Sequence, residues 1–591
     1  MENDDILNGN QVVCDTFNQY YIDAAADIGP VSNIDVTDPY YVENIILGYA
    51  SHPSVINIVD TMNSGSHTNK VFTFSTVNVD TVCKHLCNIN TKKATGYDMI
   101  PPKLVKIGSK VLCYPIHNLI NMCIMASTFP SRLKNAEVTP IYKKGDNMLK
   151  SNYRPVSVLT CISKIFERVL LDQMNNHMEP MFSPEMSGFR KGHNCEHVLM
   201  KFTSDVYQSL DNGESTGAVL TDLSKAFDSL PHSLLVAKLH AYGFDISSCK
   251  LVGDYLSNRL QRVKLGSTRS EWLEVQKGAP QGSLMGPFAY NVHSNDILSL
   301  MSRYCTIHNY ADDNTIAACG QTPADVISKL EFSTEIMIKW FKDNYMRINP
   351  DKFQFIMFDK YGSEMHKMRV DDTMLTSQAV VKLLGINIDR HLTFSDHVNT
   401  LCKKAGRKLN VLCRMSNMLD VSSRRTLSNS FILSQFEYCS CIWHFTNVSE
   451  MKQIEKLQKR TLRHVYNDFS STYGELLQMN NTCLMYVKRL KKIALEVYNI
   501  VNKNSPIYLH DMFLLRENTY NLRNNFKSVS IPKFSCVKYG KRTFKYEGAK
   551  LWNSLKDKNM SSTRDFKKYL SDYFIPNCTC TNCILCSVKN V

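Results

Sequence analysis

Gly217-Ala-Val-Leu-Thr-Asp-Leu-Ser-Lys-Ala-Phe-Asp228 is the stretch whose reading decides the fold. An apolar, strand-like run from Ala218 to Leu220 leads into Asp222, and a helical pattern carrying Phe227, Leu230, Leu234 and Leu235 follows. An acid at the exit of a buried strand is held rigidly and faces a cleft, although a single one is as readily a helix cap. Further on comes Thr306-Ile-His-Asn-Tyr-Ala-Asp-Asp-Asn-Thr-Ile-Ala317, where Asp312 and Asp313 sit between β-prone runs, as at a hairpin turn. Taken alone, that pair is ordinary turn chemistry. Together the two segments are a carboxylate constellation that is costly unless cations neutralise it. Oxygen ligands with few nitrogens or sulfurs around them select Mg²⁺ or Mn²⁺. Two such ions support in-line phosphoryl transfer.

Between the acids stands Gly278-Ala-Pro-Gln-Gly-Ser-Leu-Met-Gly-Pro287, whose glycines and prolines fix a tight backbone able to approach a flat partner closely. Gln281 offers both donors and acceptors to a sugar or phosphate. Upstream, Pro140-Ile-Tyr-Lys-Lys-Gly-Asp146 and Asn152-Tyr-Arg-Pro155 place Lys143, Lys144 and Arg154 near turn formers, where cations suit a triphosphate.

The surrounding chain is ordinary globular sequence. It has 591 residues, 43% hydrophobic and 21% charged, which excludes a wholly disordered chain and a small disulfide scaffold. No run reaches the length of a membrane span; Val111 to Phe129 is interrupted by Pro115, His117, Asn118 and Asn121. The acidic start, MENDDILNGN, is unlike a signal peptide, so a soluble intracellular protein with reduced cysteines is expected. Charge is uneven: residues 1–69 hold ten acids and no Lys or Arg, whereas residues 401–591 hold 32 Lys and Arg against 13 Asp and Glu. A basic rear half points to a polyanion, nucleic acid first.

Residues 1–70 read as an acidic lead or linker. Strand-like and helical patterns alternate from Phe72 to about Gly385, and helical periodicity takes over from about Ser395. Met451, Ile454, Leu457, Thr461 and Val465 fall at helical spacing, with Lys452, Lys456, Lys459, Arg460 and Arg463 on the remaining surface, either solvated or against a duplex. The tail carries Cys578, Cys580, Cys583 and Cys586, a spacing open to a Zn²⁺ site or to free thiols.

With these segments in this order, the chain resembles the reverse transcriptases of jockey-like non-LTR retrotransposons. The matching pieces include KKATGYDMIPPKLVK (92–106), PIYKKGDNMLKSNYRPVSVLTCISKIFERVL (140–170), SGFRKGHNCEHVL (187–199), TDLSKAFDSLPH (221–232), GAPQGSLMGPFAYNV (278–292), YADDNTI (310–316), INPDKFQFIMF (348–358) and KLLGINIDRHLTFSDHV (382–398). The resemblance implies an α+β right-hand polymerase fold: fingers and a palm with an antiparallel sheet over 71–390, a helical thumb over 391–500, and a basic C-terminal region over 501–591. It implies an RNA-directed DNA polymerase that extends a primer 3′-hydroxyl with dNTPs on an RNA template, using two Mg²⁺ ions, with Mn²⁺ as an alternative.

By the same resemblance, Asp222, Asp312 and Asp313 are the metal-binding acids, joined by the backbone carbonyl of Leu223. Phe227 lies where the family carries an aromatic that clashes with a 2′-hydroxyl; its other reading is helix packing. Lys143 and Arg154 match the cations that hold the triphosphate, and Gln281 and Gly282 the loop on the nucleotide. Lys352 matches a general acid for pyrophosphate, or is an ordinary surface lysine. Leu384, Gly385 and Ile386 match the primer-grip hairpin. Only about 70 acidic residues precede the polymerase, too few for the endonuclease such elements carry, so a truncated frame with a nick supplied in trans is expected. Nuclear action after cytoplasmic synthesis is implied, with no membrane partner. The rival readings are a silent nucleic-acid-binding remnant and an RNA-directed RNA polymerase, the latter disfavoured by Phe227 and by Tyr310-Ala-Asp-Asp313.

Overall fold

The structure is a computed structural model that describes residues 9–26, 34–64, 71–223, 227–359, 365–516, 528–555, 560 and 562–573. Its strands are β1 (Ala136–Tyr142), β2 (Tyr153–Val158), β3 (Ser215–Leu220), β4 (Arg259–Leu265), β5 (Thr268–Arg269), β6 (Leu273–Val275) and β7 (Thr306–Tyr310). There follow β8 (Asp313–Gly320), β9 (Gln354–Phe358), β10 (Lys367–Val370), β11 (Thr373–Thr376), β12 (Val380–Leu383) and β13 (Ile386–Asp389). With the helices between them they make a mixed α+β chain that divides into two compact units.

The first unit comprises Met1–Phe189, Asp222–Tyr304 and Ser333–Pro350. In its sheet β1 pairs antiparallel with β2 and parallel with β4, and β4 also carries β5 and β6. The helix Met285–Met301 is buried on nearly every face, which its apolar circumference requires. Asp296, buried on this helix, is paired: it accepts from Lys238 at 2.7 Å and from the Trp340 indole at 2.7 Å.

The acidic lead does not behave as a linker. Helices Asn10–Ala26, Tyr41–Tyr49 and Pro53–Ser64 lie within it. Cys14 is buried with Val138 and Val263, and the Asn18 amide donates to the carbonyl of Glu271 at 2.9 Å. Tyr41 donates its hydroxyl to the carbonyl of Lys250 at 2.7 Å. Cys14, Tyr41 and Ile58 supply apolar contacts that the acidic average conceals.

The second unit comprises Arg190–Thr221, Cys305–Phe332 and Asp351–Val591. Its centre is an antiparallel sheet in the order β7-β8-β3-β9. All six residues of β3 are buried, as a strand paired on both edges and covered on both faces must be. Leu199, Phe202 and Val206 of the helix Cys195–Asp211 share a core with Leu220, Ile356 and Phe358. That core runs on through Leu409, Trp443 and Val497 to Trp552 and Phe566, so the described residues beyond 500 pack into the same unit. Ser395–Met415, Val448–Tyr466 and Met485–Val501 are its long basic helices. Val448–Tyr466 begins at a reciprocal cap between Asn447 and Glu450, and buries Met451, Ile454, Thr461 and Val465. Among the described residues no helix is long and apolar enough to cross a membrane. The cysteines 578, 580, 583 and 586 lie outside the described residues.

Candidate active site

The hairpin expected around Asp312 and Asp313 is present. Tyr310 pairs with Asp313, so the turn consists of Ala311 and Asp312. Ala311 adopts φ +54°, a left-handed conformation that L residues occupy at a cost and that a tight two-residue hairpin demands. A buried asparagine holds it there: the Asn309 amide donates to the carbonyl of Ala311 at 2.8 Å and to the Asn314 side-chain oxygen at 2.9 Å. Asp312 is half-buried and Asp313 exposed, each aimed from a fixed backbone.

Sheet register brings further residues to this end. Leu220 stands opposite Thr315 of β8 on one side and Gln354 of β9 on the other. Thr221, next along the chain, donates its backbone N–H to the carbonyl of Asn314 at 2.9 Å and its hydroxyl to the same oxygen at 3.1 Å. Asp222 follows Thr221 directly. Lys352, exposed and two residues ahead of Gln354, belongs to the same end of the sheet. Leu223 is buried and bridges antiparallel to Ile348. The donors the hairpin presents, the Asp312 and Asp313 carboxylates, are hard oxygens of the kind that suits a divalent ion. No group of three or more His, Cys, Asp or Glu side chains is arranged around one metal position among the described residues. The hairpin therefore offers two carboxylates, and chain connectivity relates Asp222 to them.

In the first unit, Arg154 stands opposite Ile141, and the Lys143 N–H donates to the carbonyl of Asn152 at 2.9 Å. Strand alternation puts Lys143 and Arg154 on one face of this hairpin as diagonal neighbours. The loop 278–284 is pressed onto the protein's own backbone. A Cβ on Gly278 would lie 2.6 Å from the carbonyl oxygen of Asp228, and one on Gly282 would lie 2.4 Å from that of Ser157. The close approach that the glycines permit is thus to this chain itself. Ser157 donates its N–H to the Gln281 carbonyl at 2.8 Å, and the Gln281 amide donates to Asp228 at 2.7 Å. Phe227 packs on Tyr290 with ring centroids 4.7 Å apart and meets Phe189 edge-on at 5.8 Å.

Sequence reasoning missed the residues that brace these groups. Asn309 and Asn314 flank the acids, and polar residues inside a β-prone run were their only signal. Glu167 is fully buried and accepts the Leu284 N–H and the Tyr255 hydroxyl, both at 2.7 Å, which anchors the end of the glycine-rich loop. Burial nevertheless holds its carboxyl above the usual range. Its signal was an acid within the apolar run from Ile165 to Leu171. Burial, reinforced by the Cys195 thiol, pushes the Tyr310 hydroxyl up to about 12.

Residues 141–388 match the family model described as reverse transcriptase (RNA-dependent DNA polymerase). The chain is 26% identical over 432 residues to the probable RNA-directed DNA polymerase from transposon X-element of Drosophila melanogaster, covering 71% of this chain and 46% of the relative. It is 24% identical over 404 residues to the corresponding protein of transposon BS, covering 66% and 44%. It is also 24% identical over 409 residues to the RNA-directed DNA polymerase from mobile element jockey, covering 66% and 44%, both from the same fly. The chain spans less than half the length of these relatives.

Proposed function

We propose, from the match of residues 141–388 to the reverse transcriptase family model, that this chain extends a primer 3′-hydroxyl with dNTPs on an RNA template. The observation that carries the reading is the Asp312–Asp313 turn, bonded through Asn314 to the residue that precedes Asp222. In this reading the right-hand fold has the sheet β7-β8-β3-β9 as palm, the sheet of β1, β2 and β4 in the fingers, and a helical thumb after residue 391. Asp222, Asp312 and Asp313, with the Leu223 carbonyl, hold two Mg²⁺ ions. When bound, the ions activate the attacking hydroxyl and stabilise the leaving oxygen.

The protein's own residues do the positioning. Lys143 and Arg154 neutralise the triphosphate from their shared hairpin face, and Gln281 and Gly282 form the loop beneath the nucleotide. Phe227, clamped by Tyr290 and Phe189, excludes a 2′-hydroxyl. Lys352 protonates the departing pyrophosphate. The duplex lies on the basic helices. Lys403, Lys404, Arg407, Lys408 and Arg414 are exposed on Ser395–Met415, and Lys456 and Arg460 on Val448–Tyr466, where Glu450 and Glu455 are buried. On Val448–Tyr466 phosphates therefore meet cations with that helix's acids withdrawn. The same proposal places the reaction in the nucleus.

The test is extension of oligo(dT) on poly(rA) with dTTP and Mg²⁺. The parent extends, and Asp312→Ala/Asp313→Ala loses at least about a thousandfold while still binding the duplex. If neither extends and both bind with steep salt dependence, the chain is a binding remnant.

A further inference from the structure

The long apolar run from Val111 to Phe129 has no part in the site described above. It forms most of the helix Ser109–Met125 in the first unit. One side of that helix is core: Cys113, Ile116, Ile120, Cys123 and Ile124 are buried. The opposite side is apolar as well. Val111, Tyr114, Met122 and Met125 recur at helical spacing and are each 62–76% exposed, with Leu119 at their edge. A helix that is apolar all round is normally covered all round, yet this side is open among the described residues.

The open face is large. Gly108 donates its N–H to the carbonyl of Leu104 at 3.0 Å, and Leu112 donates to that of Gly108 at 2.9 Å, so helical bonding runs through the junction with the preceding helix Pro102–Ile107. The face therefore continues into Leu104 and Ile107, both exposed. These side chains together expose on the order of 900 Å² of apolar surface. The largest such patch on an ordinary monomer is about 300–600 Å², and each partner in a stable complex buries about 800 Å².

Charge decides the occupant. Residues 111–131 hold no Asp, Glu, Lys or Arg, so the face offers no row of cations to an acidic protein or an anionic bilayer. An uncharged face suits its own copy, provided that the ends agree. When two such helices lie antiparallel across a two-fold axis at Asn118, Val111 of one copy meets Met125 of the other and Tyr114 meets Met122, because the positions in each pair are equally far from 118. Lys110 is exposed at the N-terminal end and makes no ion pair among the described residues. In that arrangement it lies by the C-terminal end of the other copy's helix, where the helix dipole is negative. Asn118 is exposed and accepts from His117 at 3.0 Å, while its amide nitrogen makes no hydrogen bond among the described residues. It can donate across the axis to its counterpart, and an asparagine pair in an apolar seam fixes register.

We propose that two copies of this chain associate through the exposed face of the helix Ser109–Met125, antiparallel and with Asn118 at the two-fold axis.

The experiment is sedimentation equilibrium of the full chain without nucleic acid, over about 0.2–20 μM, since interfaces of this size bind at micromolar strength or tighter. The parent should be a dimer. Asn118→Asp and Asn118→Lys each set like charges against one another at the axis and should raise the dissociation constant at least about thirtyfold. An equimolar mixture of the two variants sets Asp against Lys and should bring the dimer back to within about threefold of the parent. That recovery also shows that both variants fold.

A parent that stays monomeric overturns the proposal. So does a dimer that neither charge variant weakens, because its interface then lies elsewhere. Flotation with vesicles of equimolar phosphatidylcholine and phosphatidylserine, run on the parent and on Met122→Glu, tests the rival occupant. A monomeric parent whose flotation is lost in Met122→Glu assigns the face to a bilayer and sinks the dimer. A dimeric parent that does not float, with the mixture restored, establishes it.

Discussion

Thr221 and Asn314 are joined twice: the carbonyl of Asn314 accepts both the backbone N–H of Thr221, at 2.9 Å, and its hydroxyl, at 3.1 Å. One oxygen thus ties the strand that ends before Asp222 to the strand that begins with Asp313. Both elements that deliver acids depend on it, although neither Thr221 nor Asn314 carries a charge.

Asn309 is the side chain on which the acid-bearing turn rests. Asn309→Ala leaves the Ala311 carbonyl and the Asn314 side chain without their partner, at a cost of about 1–3 kcal/mol. Extension should fall about ten- to a hundredfold, since the carboxylates lose their fixed backbone while remaining present. Chemical denaturation beside single-nucleotide extension checks both halves. An unchanged rate would show that the turn needs no brace.

Gly282→Ala brings a Cβ within 2.4 Å of the Ser157 carbonyl oxygen at a residue with φ +136°. The loop must move away from β2, and the hydrogen bond from Ser157 to Gln281 goes with it. The expected loss is about 1–3 kcal/mol of stability, together with a raised KM for dTTP at unchanged duplex affinity. Steady-state kinetics at varied dTTP, with anisotropy for the duplex, separate the effects.

Phe227→Val tests whether the ring sorts sugars or merely packs. A sorting ring predicts that incorporation of UTP relative to dTTP rises by about tenfold or more. A packing ring predicts a lower unfolding temperature and no change in that ratio. Competition between the two nucleotides on the same primer gives the answer.

Acid should weaken the second unit before it touches the carboxylates. Burial holds His308 and His397 down to about 4, and the Nε2 of each has no hydrogen-bond partner among the described residues. Lys201 adds to the effect at His308, partly offset by Asp205, and Lys404 adds to it at His397. The unfolded chain takes up these protons near 6.5 and the folded chain near 4, so in that window the unfolded state binds more protons. Stability is therefore full above about pH 6.5 and declines as pH falls toward 4. Thermal unfolding from pH 7.5 to 5.0 should show a flat region followed by a fall, and His308→Gln should make the fall shallower.

Sequence alone exposed the hairpin at Asp312 because its flanks are β-prone and its tip is acidic, a local pattern. It exposed the buried stripe of Val448–Tyr466 for the same reason: helical periodicity is local. It misjudged the lead, where Cys14, Tyr41 and Ile58 are too few to shift an acidic average yet sufficient to dock helices. It could not find that Gln281 answers to Asp228 and Gly282 to Ser157, because those partners are set by tertiary packing over 53 residues in the first case and more in the second. Nor could it see that residues near Trp552 share a core with Phe358, since no composition boundary marks which apolar clusters will merge.

The place of β3 between β8 and β9 has a consequence for synthesis of the chain. Leu220 leaves the ribosome long before Phe358, an interval on the order of ten seconds at ordinary translation rates. Until β9 arrives, β3 is an edge: an apolar strand with an unpaired row of N–H and C=O groups, open to pairing with any nascent neighbour. A message cut short ahead of codon 358 would fix the protein in that state, yielding a product that aggregates instead of one that is merely inactive.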